Sequence, residues 1–258
     1  VPVPTFVLSA AEFAVLREHL GLGAAPAALR LPPAGRTRAE RVRIVAHGPG
    51  GLDGLRGRGL AGPAGADPVL VRQLVLLHRP ERQLEVRGWF GAPLRAVAAE
   101  RDGDGVLAVH TGGTVTVRPA GAPAHAAVSA LPPVAAGPLL RVPATAPALP
   151  GDRAAPVGPL GVPVTAPAGR GDADVVAAVL RGPTHRARVC AVRYDRWGSP
   201  ARLPGHVAVV DTPDGRYLLT GGPGRASLAP ADRDTLAGLL TDLLRPGRSA
   251  ASADDPPR

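Results

Sequence analysis

The chain has 258 residues, 45% of them hydrophobic but only 3% aromatic, and a formal net charge of +9. All 30 of its basic Lys/Arg positions are Arg; there is no Lys, Asn or Met, and one Cys. Those absences exclude a Walker A loop, a Schiff-base lysine, N-glycosylation, an internal disulfide and a cysteine zinc site. No apolar run reaches the ~20 residues of a membrane span, and the start, Val1-Pro2-Val3-Pro4, lacks the basic region of a signal peptide. The expectation is a soluble cytosolic protein.

Ser9-Ala10-Ala11-Glu12 is a capping box, with Leu8 and Phe13 placed for a hydrophobic staple and Gly21 for a left-handed stop. Thr37 to Glu40 repeats the box, but Gly48-Pro49-Gly50-Gly51 cuts that second helix short. A third helix begins at Asp67-Pro68, carries Leu70, Leu74 and Leu77 on one face, and ends before Pro80. The period then changes to two. Strands are expected at Gln83–Arg87, Leu94–Glu100, Val106–His110 and Thr114–Arg118, joined by Asp-Gly and Gly-Gly turns into an antiparallel meander. A short helix near His125 to Leu131 closes this half.

Ten prolines between Pro132 and Pro167 mark a connector with one edge strand near Leu139 to Val142. A helix over Asp172–Arg181 follows, then strands at Arg186–Arg193, His206–Asp211, Arg216–Thr220 and Ala226–Leu228. The last helix, Ala231–Leu244, has a 3.6-period leucine stripe, and the tail beyond it reads as disordered. Trp89, Asp104 and Pro119 fall opposite Trp197, Asp214 and Pro230 at offsets of 108 to 111 residues. The expected fold class is therefore α+β: a central, mostly antiparallel sheet from two pseudo-two-fold-related helix–meander–helix halves, flanked by helical bundles. In domain terms, residues 1–246 form one domain. Half one spans 6–131, the connector 132–171 and half two 172–245, with the tail at 247–258.

No catalytic or metal-binding constellation emerges. Gly57-Arg58-Gly59-Leu60-Ala61-Gly62 matches a dinucleotide fingerprint but lacks the strand before it. The seven histidines are scattered, Cys190 reads as a small core residue, and Asp211 and Asp214 read as a turn pair around Pro213. No enzyme activity, cofactor or metal is expected, and the work expected of such a chain is binding. The net charge leaves open an Arg-rich nucleic-acid-binding module; an enzyme with a dispersed site is a third reading.

The order of several segments resembles the EspG family, the ESX secretion-associated proteins of actinobacteria. These segments are Leu20–Gly23, Gly35–Arg41, Arg58–Leu60, Asp67-Pro68 with Arg79-Pro80, Glu85–Trp89, Asp211–Leu218 and Leu228–Asp232, covering about residues 6 to 245. The resemblance implies a cytosolic chaperone of type VII (ESX) secretion, monomeric or weakly dimeric. It would bind the hydrophobic helical tip of the PPE subunit in a PE–PPE heterodimer, or another ESX substrate, without cofactor, nucleic acid or membrane insertion. Candidate partner-binding residues are Trp89, Phe90 and Trp197, with Leu203, Val207 and Val209 from the second-half sheet and Leu236 and Leu240 from the last helix. The two leucines fit a place in the core better, and both tryptophans sit at turns where a ring is either exposed or plugs the sheet end.

Overall fold

The computed structural model describes residues 4–33, 40, 52–62, 65–138, 142–145, 185–222 and 225–245. The chain is α+β, with a large antiparallel sheet and few helices. It divides into two units, one of Val1–Pro133 with Val192–Ala201, the other of Val134–Ala191 with Arg202–Arg258.

In the first unit, strand β1 (Phe6–Ser9) runs directly into helix α1 (Ala10–His19). The capping box forms as its residues require: Ser9 Oγ accepts from the Glu12 N–H at 3.1 Å, and Glu12 accepts from the Ser9 N–H at 2.6 Å. Leu8 and Phe13 are fully buried on either side of the cap. At the other end Gly21 takes φ +65°, and the N–H groups of Gly21 and Leu22 reach back to the carbonyls of Glu18 and Arg17, a Schellman closure. Glu12 has a second use. Arg58, just after helix α2 (Leu52–Gly57), donates to both its oxygens at 2.9 and 3.0 Å and also to the Val7 carbonyl of β1. Ser9→Ala should therefore cost about 1 kcal/mol in chemical denaturation.

Arg17 is buried, and donates to the carbonyls of Leu22 at 2.9 Å and Ala24 at 2.8 Å. Burial pushes its pKa down to about 10. The glycine run expected to be empty is structural: a helix precedes it, Gly59 takes φ +72°, and Ala61–Gly62 forms a minimal strand β2 paired with β3 (Gly65–Ala66). A dinucleotide site needs the reverse order.

Helix α3 (Pro68–His78) is capped by Asp67, whose Oδ1 accepts from the N–H groups of Val69 and Leu70. The meander follows as β4 (Arg82–Trp89), β5 (Pro93–Arg101), β6 (Asp104–Thr111) and β7 (Thr114–Ala120). Asp102-Gly103 and Gly112-Gly113 all have positive φ, the turn type whose twist matches the flanking strands. The strand order in this unit is β1-β7-β6-β5-β4. Val97, Ala99, Val106, Ala108, Val115 and Val117 share one core with Phe13, Leu16, Leu70 and Leu74. Alternation sends Leu84, Val86, Ala96, Ala98 and Leu107 to the opposite face, where they are equally buried. Helix α4 (Pro123–Ser129) packs against β4, β5 and β6.

The second unit holds β8 (Val142–Thr145), most of β9 (His185–Tyr194), β11 (Val207–Thr212), β12 (Gly215–Gly222), β13 (Arg225–Pro230) and helix α5 (Arg233–Leu243); β10 (Pro200–Arg202) straddles the unit boundary. The strand order here is β9-β11-β12-β13-β8, each neighbour antiparallel. Asp211 does not form a turn pair with Asp214. It is buried opposite Arg216 and accepts two hydrogen bonds from that guanidinium, at 2.7 and 2.8 Å. The Arg216 backbone is equally committed, since its N–H donates to Ala135 and its carbonyl accepts from Gly137 and Ala231. Gly137 has no room for a side chain: a Cβ there would sit 2.3 Å from the Tyr217 ring. Cys190 is buried in β9, as its neighbours suggest.

The second capping box near Thr37, the break at 48–51, the helix expected over 172–181 and the tail at 247–258 lie outside the described residues. So do Leu139 to Arg141 of the expected edge strand; the strand itself is Val142–Thr145.

Candidate functional site

The expected partner-binding residues separate into a surface group and a core group. Val207 and Val209 are 4% and 0% exposed, and Leu236 and Leu240 are both 0%. Val207 and Val209 are therefore not on the exposed face expected of them, and Leu236 and Leu240 lie in the core, the place their spacing fits better. β11 lies between β9 and β12, and the run Val207-Ala208-Val209-Val210 is buried on both faces of its sheet. Leu236 and Leu240 are the inner stripe of α5. Leu203 is half-buried, its N–H donating to Ala191 at 2.9 Å.

The aromatic residues are different. Trp89 is 55% exposed and Trp197 75%, with Phe90 half-buried beside the first. They do not form one patch. Trp89 ends β4, whereas the Tyr194 N–H donates to the Glu81 carbonyl at 2.9 Å, placing the loop that carries Trp197 by the start of β4. The rise of a strand puts those two ends roughly 25 Å apart.

At the Trp89 end, β4 turns into β5 through Gly91 at φ +78°, with the Phe90 N–H closing onto the Ala92 carbonyl at 3.0 Å. The face of β4 that bears Trp89 also bears Gln83, Glu85 and Arg87, so it becomes more polar and more open toward its tip. Gln83 and Glu85 are buried and bonded to each other at 3.2 Å, and Arg87 reaches Glu85 at 3.3 Å.

At the other end, Asp195 Oδ1 accepts from the N–H groups of Trp197 at 2.9 Å and Ser199 at 2.8 Å. That tight turn holds the indole outward, and the Arg196 guanidinium stacks 4.0 Å from its ring centre. Trp197 overhangs a shallow cleft of ≈ 380 Å³ lined also by Pro80, Glu81, Arg101 and Tyr194. The Tyr194 hydroxyl is pushed above its ordinary pKa by burial and by Glu85, so it stays protonated at neutral pH. Asp195 is engaged in its own turn.

Among the described residues, no three His, Cys, Asp or Glu side chains are grouped to hold a metal ion. No helix among them is long and apolar enough to cross a membrane. Sequence reasoning missed the burial of Arg17 and the Asp211–Arg216 pair. In a chain where every basic residue is Arg, nothing in the composition separates a buried guanidinium from a surface one.

Comparison with known proteins gives a family and a fold. The model of the EspG family matches residues 9–242. No curated protein sequence matches the chain. Among solved structures, the chain is similar to the Mycobacterium tuberculosis type VII secretion system chaperone EspG5 in complex with a PE25–PPE41 dimer. The TM-score is 0.66 and the identity 16%, over 95% of this chain and 98% of that one.

Proposed function

Because the chain belongs to the EspG family, we propose that it is a cytosolic chaperone of type VII secretion that binds PE/PPE-like substrates and keeps them soluble until export. The observation that carries this reading is the likeness of nearly the whole chain to EspG5, a chaperone solved with a PE–PPE dimer in place. The substrate's hydrophobic helical tip would dock on exposed aromatics, with Trp89 and Phe90 as anchors. Large, rigid rings that lose little conformational entropy are the usual energetic centres of such contacts.

The same reading includes a doubled architecture, one domain over residues 1–246 built from two related halves. Strand order supports it. From β4 the first meander steps outward through β5, β6 and β7 to the N-terminal β1; from β9 the second steps through β11, β12 and β13 to β8. In each case the strand preceding the meander in sequence returns to its far edge.

Co-expression with a PE/PPE-like pair from the same genome tests the reading. A single co-eluting complex on size exclusion, with substrate that is insoluble alone, is the expected result. A substrate equally soluble alone and never bound overturns it.

A further inference from the structure

We infer that the Trp89 end of the first unit carries a receptor for carboxylates, built from Arg30, Arg87 and Arg95, whose occupant is an acidic turn of the substrate protein's helical tip. The inference rests on the chaperone reading above and adds to it the chemistry that the substrate must bring.

Arg87 and Arg95 are register partners on β4 and β5, so their side chains emerge side by side on one face. Like charges placed directly across a strand pair oppose folding. His110 of β6 continues the row and is tied by Nδ1 to the Leu29 carbonyl at 2.8 Å. The next residue, Arg30, closes the short 3-10 turn Ala27–Leu29 with φ +47°, and that turn packs on β4 and β5. Burial and the nearby charges of Arg30 and Arg87 all depress the pKa of Arg95.

Among the described residues, the charge of this row is only partly compensated. Arg95 is oriented by the carbonyls of Gly88 at 3.3 Å and Leu94 at 3.1 Å, which fix its direction without cancelling its charge. Glu85 is the carboxylate bonded to Arg87, and it is turned inward and bonded to Gln83 as well. Among the described residues, Glu85 is the one carboxylate bonded to any of these three arginines. An anion arriving from outside relieves the repulsion, and planar guanidiniums match a carboxylate two-pronged.

Trp89 stands two residues from Arg87 on the same face and is more than half exposed. The surface therefore suits an apolar side chain next to Asp or Glu, as a helical turn presents them. A nucleic acid backbone would want an extended basic track; this patch is compact and capped by an aromatic ring.

The test is a titration of the PE/PPE-like heterodimer against the wild-type chain and the double variant R30Q/R87Q, at low and high salt, with thermal unfolding measured for both proteins. Wild-type binding should weaken as salt rises, and the variant should bind roughly tenfold more weakly at low salt with a flatter salt dependence. Equal affinity and equal salt dependence in the two proteins overturns the receptor while leaving the chaperone reading intact. A single-stranded oligodeoxynucleotide that binds the wild type and displaces the heterodimer overturns the assigned occupant. A wild-type chain that binds no heterodimer removes the chaperone reading and the receptor with it.

Discussion

Asp211→Asn is expected to destabilise the protein by about 3–5 kcal/mol, because it neutralises the buried carboxylate that accepts two hydrogen bonds from the buried Arg216 guanidinium. The neutral amide offers one acceptor where two oxygens stood, and turns an N–H toward a group that can only donate. Arg216→Met should be similarly costly, since the carboxylate is then the orphan. Replacing both, as D211L/R216M, should recover most of the loss, because a well-packed apolar pair carries no desolvation cost. Thermal unfolding followed by circular dichroism gives the comparison, with a fall of about 10 °C for each single variant. Single variants that unfold like the wild type would show that the pair contributes little.

The second large effect is on binding. Trp89→Ala should weaken the substrate complex by about 2–4 kcal/mol, roughly 30- to 1000-fold, the loss typical of a central aromatic anchor. Its stability should stay within about 0.5 kcal/mol of wild type, because the ring is mostly in solvent. Leu236→Ala makes the contrast: that side chain is fully buried, and its truncation should cost about 2–5 kcal/mol of folding energy. Calorimetric titration alongside unfolding separates the two. Trp197→Ala in the same series asks whether the distant cleft takes part; unchanged affinity for both tryptophan variants would place the docking surface elsewhere.

Local signals in the sequence were the most legible. The Ser9–Glu12 box, the Asp67 cap and the paired positive-φ turns each depend on chemistry within four residues, and each formed as read. Burial was harder, because it depends on what covers a face. Val207 to Val210 is an unbroken apolar run, which is the mark of a strand covered on both sides, and that signal argued against Val207 and Val209 as surface residues. The separation of Trp89 from Trp197 was not legible at all: both sit at hairpins, and only the pairing of Tyr194 with Glu81 assigns them to opposite ends of a strand. The stretch Asp211–Tyr217, one of the segments in the resemblance, is structural. It holds the buried ion pair and the ring that covers Gly137.

The Arg58 clamp on Glu12 and Val7 has a consequence for life among sticky clients. β1 is only four residues long, and one of its outward carbonyls is already occupied by a guanidinium. A foreign backbone seeking to zip onto that rim finds neither the length nor the free acceptors for a stable cross-chain ladder. A protein proposed to handle aggregation-prone cargo thereby blunts the β1 rim of its sheet against seeding the aggregation it would prevent.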